Sequence, residues 1–141
     1  MKINDVLRGK GHEVVTISPQ ATVTELLALL AEHNIGAVVV SADGTSVAGI
    51  VSERDVVRLW NGTPEAGEVR VSAIMTAEVR TCTPDDLIDN LMRLMTEHRI
   101  RHVPVVVDGA LTGLVSIGDV VKSRIGELEF EKEQLSNYIS S

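Results

Sequence analysis

Two short stretches of this 141-residue sequence set a hydroxyl and a carboxylate three residues apart, SERD at 52–55 and SIGD at 116–119. At a helix start, Ser caps the backbone and Asp falls on the same side of the first turn. Ser52 with Asp55, and Ser116 with Asp119, would then face whatever lies at the helix N-terminus. A hydroxyl beside a carboxylate suits a ribose diol, because an ionised carboxylate can accept from both sugar hydroxyls. The same spacing also makes a capping box, in which both side chains satisfy backbone donors and nothing more. That the pair follows Gly-apolar-Val in both places (GIV 49–51, GLV 113–115) favours the ligand role.

Arg101-His102, at the start of a Val-rich run, is the second candidate. Such a pair can meet a phosphate, the guanidinium acting as a bidentate fork. The matching positions earlier in the chain are Gly36-Ala37, which leave room for a planar ring or a close backbone approach. Charge thus sits on the half that carries Asp119, and this predicts that the Asp119 side is the stronger phosphate-bearing site. The competing reading places Arg101 and His102 at the surface with no ligand. His98 and His102 are four apart but span a helix end, and no carboxylate or thiol completes a metal set, so no metal is expected. Cys82 lies within a strand-like run and reads as a buried, inert thiol. There is no Gly-rich phosphate loop and no nucleophile–base pair. The sequence does not ask for an enzyme.

The elements that must position these residues come in two copies. VVTISPQATVTELLALLAEHNIGAVVVSADG (14–44) aligns with VRTCTPDDLIDNLMRLMTEHRIRHVPVVVDG (79–109) at an offset of 65, and AGIVSERDVV (48–57) with TGLVSIGDVV (112–121) at 64. A long period occurring twice implies a pseudo-two-fold module rather than an array. Each copy reads as a short strand ending at a Pro, a helix, a Val-rich strand, an Asp-Gly hairpin turn, a second strand and a final helix. The first helix opens on Thr22 and Glu25 spaced as a capping box. Its apolar face is Val23, Leu26, Leu27 and Leu30, matched by Ile88, Leu91, Met92 and Met95. Such a β-α-β-β-α unit is too small to bury both helix faces alone, so the copies are expected to pack sheet to sheet. Short helical turns at 4–7 and 72–75 lead into each copy. Boundaries fall at 8–60 and 71–125, with 61–70 as a Gly/Pro-bearing linker. Residues 126–141 read as an amphipathic terminal helix with an apolar stripe, interrupted only by Gly126.

Composition narrows the class further. Hydrophobic residues make up 44% and aromatics only 2%, so the core is built from Val, Ile, Leu, Ala and Met, which suits buried strands under helices. The net charge of −7 repels phosphate backbones, which argues against nucleic acid as a partner. No 18-residue apolar run and no signal-like start is present, so the expectation is a soluble, cytoplasmic protein that meets no membrane. A single cysteine fits a reducing compartment.

With both motifs and the repeat in hand, the sequence resembles the CBS-domain family, as a stand-alone tandem pair with a terminal helix. The resemblance runs from residue 12 to about 125. It implies an α/β (α+β) fold of two β-α-β-β-α units about a pseudo-two-fold axis, pairing into a homodimer. It also implies clefts for an adenine nucleotide: AMP, ADP, ATP, NAD or S-adenosylmethionine. In that frame Asp55 and Asp119 hold ribose hydroxyls beside Ser52 and Ser116. Backbone at Thr16-Ile17 and Thr81-Cys82 meets the base edge, between apolar walls from Ile35, Ala37, Val103 and Pro104. Arg54, Arg101 and His102 resemble phosphate-binding positions, with Gly36 at the place of Arg101 in the first copy. The function implied is a regulatory sensor signalling to an effector protein of unknown identity. The alternative is a structural dimer whose clefts are vestigial.

Overall fold

The computed structural model describes residues 1–140. In chain order the elements are α1 (Ile3–Lys10), β1 (Thr16–Ile17), α2 (Val23–His33), β2 (Ala37–Val40), β3 (Gly49–Ser52), α3 (Glu53–Trp60), α4 (Val71–Ile74), α5 (Ile88–His98), β4 (His102–Val107), β5 (Ala110–Ser116) and α6 (Ile117–Ser140). A 3₁₀ turn at Ala66–Glu68 lies in the linker. The first sheet has the order β1-β2-β3, and the second pairs β4 with β5 antiparallel. Where β1 lies parallel to β2, the equivalent segment of the second half makes only an isolated bridge between Cys82 and Val105. The mixed α+β repeat is the architecture the sequence predicts.

Helix α2 begins where Thr22 Oγ1 accepts from the Glu25 amide at 3.2 Å, as the capping spacing requires. It ends at Asn34 in the left-handed region (φ 52°), and α5 ends the same way at Arg99 (φ 53°). Of the expected apolar faces, Val23, Leu26 and Leu30 are buried, as are Ile88, Leu91 and Met95. Leu27, by contrast, is exposed. Strand β2 is buried along its whole length, as a strand covered on both faces must be.

The Asp-Gly turns differ between halves. Asp108-Gly109 forms a two-residue connection with both φ values positive (50° and 79°), the geometry of a primed hairpin turn. Asp43-Gly44 instead opens a longer loop, because Asp43 Oδ1 gathers the amides of Thr45 and Ser46 at 2.9 and 2.7 Å. Those donors hold the Asp43 carboxyl far below the ordinary carboxylate range. The loop then joins the halves, with the Leu111 amide donating to Thr45 O at 2.7 Å.

Each lead-in helix serves the opposite half. Ile3, Val6 and Leu7 of α1 belong to the core of Cys82, Ile88, Leu91, Met95, Val103, Val105, Val115 and Val120. Val71 of α4 belongs to the core of Ile17, Val23, Leu26, Leu30, Val38, Val40, Val51 and Val56. The backbone repeats this exchange: the Ile88 amide donates to Met1 O at 3.0 Å, and the Val23 amide to Val69 O at 2.9 Å. Gly113 and Gly49, equivalent in the repeat, mark the crossings. A Cβ on Gly113 would lie 2.9 Å from Leu7 Cδ2, and one on Gly49 would lie 2.7 Å from Met75 Sδ and Thr76 O. The glycine of each Gly-apolar-Val-Ser motif is therefore needed for close approach of the lead-in segment.

At the C-terminus, the last helix of the second half and the amphipathic tail are one element. Helix α6 passes through Gly126 without a break. The roughly 1 kcal/mol that a mid-helix glycine costs is too little to end a 24-residue helix.

Candidate functional site

Ser52 ends β3 and caps α3, and Ser116 ends β5 and precedes Asp119 in the first turn of α6. The Ser52 amide donates to Asp55 Oδ2 at 2.9 Å and its hydroxyl to the same oxygen at 3.2 Å. In the second half the Ser116 amide donates to Asp119 Oδ2 at 2.8 Å, and the Asp119 amide donates to Ser116 Oγ at 3.2 Å. Each carboxylate is thus oriented by its own helix turn. Opposite each serine sits the first residue of the neighbouring strand, Ala37 across from Ser52 and His102 across from Ser116. The first amide of each helix is committed as well, Glu53 N to Gly36 O at 2.9 Å and Ile117 N to Arg101 O at 2.8 Å.

Between the halves lies a cleft of about 440 Å³. The first half contributes Gly36, Ala37, Ile50, Val51, Ser52, Glu53, Arg54, Asp55 and Arg58, and the second contributes Thr76, Arg99, Ile100, Arg101 and His102. Arg101 and His102 therefore line the cleft of Asp55 as well as lying beside the Ser116–Asp119 turn of their own half, whereas the sequence pattern placed them with Asp119 alone. The physical reason is the pseudo-two-fold: the start of β4 faces the first half across the shared groove. Four guanidinium groups (Arg54, Arg58, Arg99, Arg101) meet two carboxylates (Glu53, Asp55) in a chain whose net charge is −7. Such a concentration of cations makes a strong local field for an anion.

His102 supplies less charge than its type suggests. Burial lowers its pKa below the ordinary 6.5, and the Lys10 ammonium lowers it further, against the opposing pull of Asp119. Near pH 7 the imidazole is neutral, so it offers a hydrogen bond rather than a cation. Arg58 and Arg99 were not singled out by the sequence patterns. Arg58 lies one turn beyond Arg54 on α3, and this i, i+4 spacing is the signal that would have found it. Arg99 is the left-handed cap of α5, a role that hides its side chain among turn residues.

Beside the cleft, and sharing Gly36 and Glu53 with it, is a hollow of about 390 Å³ lined by Leu27, Leu30, Ala31, Asn34 and Ile35. Ile35 and the exposed Leu27 supply its apolar wall. The remaining sequence candidates are not among the residues lining either. Thr16 and Ile17 form β1, where Ile17 O accepts the Ser41 amide at 2.9 Å. Thr81 is exposed, whereas Val103 and Pro104 are buried in β4. Cys82 is buried, its amide donating to Pro104 O at 3.0 Å and its carbonyl accepting from Val106 at 2.9 Å. Burial, with a smaller push from Asp86, raises its thiol pKa to about 12, so it stays protonated and unreactive.

The second carboxylate has a partner that sequence reasoning missed. Lys10 Nζ lies 2.6 Å from Asp119 Oδ2 and donates to Leu114 O at 2.7 Å. Burial pushes the Asp119 pKa up, but the Lys10 hydrogen bond and the Ser116 amide and hydroxyl outweigh it, leaving the carboxyl below its ordinary 3.8. No sequence spacing links positions 109 residues apart. Among the described residues, no cluster of three or more His, Cys, Asp or Glu side chains is arranged to hold a metal, and no helix is long and apolar enough to cross a membrane.

The CBS-domain family model matches residues 5–62 and 71–126, one domain for each copy. The chain belongs to the CBS-domain family. It is 37% identical over 147 aligned residues to the mitochondrial CBS domain-containing protein CBSX3 of Arabidopsis thaliana, an alignment covering 97% of this chain and 71% of the relative. Among solved structures, the CBS-domain protein ATU1752 from Agrobacterium tumefaciens superposes with a TM-score of 0.83 at 45% identity, covering 88% of this CBS pair and 99% of that chain. The CBS pair of protein MJ0100, solved with 5′-methylthioadenosine and S-adenosyl-L-methionine, shares the fold at a TM-score of 0.77 and 23% identity, over 86% of this chain and 98% of that one.

Proposed function

We propose that this CBS pair is a regulatory sensor that binds an adenine nucleotide in the cleft of Asp55 and transmits the bound state to an effector protein. The observation that carries the reading is the cleft's composition. A helix-oriented carboxylate from one half faces a set of arginines drawn from both. Asp55 accepts the ribose hydroxyls beside Ser52, the apolar hollow at Ile35 and Leu27 receives the base, and Arg54, Arg58, Arg99 and Arg101 surround the phosphates. His102 adds a neutral hydrogen-bonding group. The adenosine-derived ligands of the MJ0100 pair support a ligand of this class. Signalling requires the nucleotide to bind two conformations or assemblies unequally. A homodimer is the assembly we propose, in a cytoplasmic setting.

The reading is tested by thermal melting with AMP, ADP, ATP, NAD, NADH and S-adenosylmethionine. A ligand held only by the folded chain adds about 2.7 kcal/mol of stability at a hundred times its Kd. One or more of the panel should raise Tm in the wild type. If none does at millimolar concentration, the clefts are vestigial and the structural-dimer alternative takes over.

A further inference from the structure

The two Ser-x-x-Asp carboxylates of the pair are not equivalently placed, and the difference traces to the segment after Leu7, made of the last turn of α1 and the connector that follows it. Between Leu7 and Val14 the chain runs RGKGHE, whereas between the corresponding Met75 and Val79 it runs TAE, three residues shorter. The longer connector lies along β5: His12 Nδ1 is 3.3 Å from Thr112 O, and Lys10 Nζ reaches both Leu114 O and Asp119 Oδ2. Thr76, in the shorter connector, lines the Asp55 cleft and brings no charge to it. Among the described residues, no cation lies within ion-pair distance of Asp55.

The repeat register points the same way. The arginines of the Asp55 cleft, Arg54, Arg58, Arg99 and Arg101, correspond in the repeat register to Gly118, Lys122, Asn34 and Gly36. Of the four cations the register thus keeps one, Lys122, for the second half, and the Asp119 carboxylate there is already engaged by an ammonium at 2.6 Å. A ribose hydroxyl arriving there must compete with a charge-assisted bond that its own hydroxyl does not replace in strength.

We infer that Lys10 is a built-in occupant of the second nucleotide cleft, so that each chain binds one nucleotide, at Asp55. This assignment rests on the nucleotide reading above and adds which cleft is loaded and what closes the other. Lys10 acts by holding Asp119, as a specificity-determining residue outside the loaded site.

Equilibrium dialysis with radiolabelled ATP, repeated with AMP, counts the sites. The wild type should bind one equivalent per chain, Asp55→Ala none at the same concentration, and Lys10→Met two, the second at least tenfold weaker. Lys10→Arg should keep the count at one. Because Lys10 ends an exposed turn of α1, Lys10→Met is expected to fold, and its ligand-free melting curve verifies this. Two equivalents in the wild type, or a count of one in Lys10→Met, overturn the assignment while leaving nucleotide binding intact. Binding by none of the variants overturns the nucleotide reading and this assignment together.

Discussion

At the scale of single residues, Asp55 and Asp119 share a motif and diverge in employment. Asp55 is expected to carry the ligand, so Asp55→Ala should lower nucleotide affinity about ten- to a hundredfold. That corresponds to the roughly 1.5–3 kcal/mol of a charged hydrogen bond. Asp119→Ala should leave affinity at the Asp55 cleft within about threefold. Its cost appears in the ligand-free protein, at about 1–2 kcal/mol from the lost cap and the weakened Lys10 contact. Titration calorimetry beside melting curves of both variants separates the two; an affinity loss confined to Asp119→Ala would reverse the assignment. His102 makes a pH prediction of definite sign. Its folded pKa lies below its ordinary 6.5, so between those values the unfolded chain binds more protons and stability falls with falling pH. The protein should therefore lose stability as pH drops below about 6.5, and His102→Gln should flatten that slope in urea denaturation followed from pH 7.5 to 5.5. Asp119 acts in the same direction but only below its ordinary 3.8, where its native carboxylate becomes protonated. An unchanged slope in His102→Gln would place the titration elsewhere.

At the scale of elements, the lead-in helices explain why each copy cannot stand alone. Helix α1 precedes the first half in sequence yet completes the core of the second, and α4 returns the exchange. Burying Ile3 and Leu7 contributes about 1.5–3 kcal/mol each, and that contribution accrues to residues some eighty positions away. The two motif glycines are where this packing is tightest. Gly113→Ala would push a methyl into Leu7 and should cost about 1–3 kcal/mol. Gly49→Ala, blocked by a backbone carbonyl as well as Met75, should cost at least as much. Urea midpoints of the two variants measure this, and a loss below about 0.5 kcal/mol in both would show that the lead-in segments yield easily. The glycines were legible as part of the motif, but the repeat alone cannot say that their neighbour is a segment from before the other half.

At the scale of the whole molecule, α6 leaves an unpaired surface. Val121, Ile125, Leu128, Leu135 and Ile139 recur at spacings of four, three, seven and four and are 46, 51, 54, 60 and 75% exposed. With Lys132 filling the gap, the series reads as a heptad seam whose flanks carry Arg124 and Glu129, oppositely charged partners across a parallel pair of helices. The proposed homodimer would cover this stripe. Sedimentation should therefore give a dimer at micromolar concentration, and Leu128→Glu with Leu135→Glu should drive it toward monomer without lowering the urea midpoint of the CBS pair. A wild-type monomer would remove the dimer from the account.

Part of this architecture follows from local spacing and from comparison of the chain with itself. The repeat gave two copies of one unit, the apolar periods gave the helices and Val strands, and Ser-x-x-Asp gave two oriented carboxylates. These are short-range consequences of backbone geometry, and self-alignment needs no partner. The packed fold is what brings particular residues of one half against particular residues of the other. It carried Arg101 and His102 to Asp55, sent α1 and α4 to opposite cores, joined the last helix and the tail into one α6, and set Lys10 on Asp119. Each of these is a contact between segments with no common period, fixed by the pseudo-two-fold axis and by a connector three residues longer in one half than in the other. Local sequence encodes the side chain; the axis, which exists only when both cores close, chooses its neighbour.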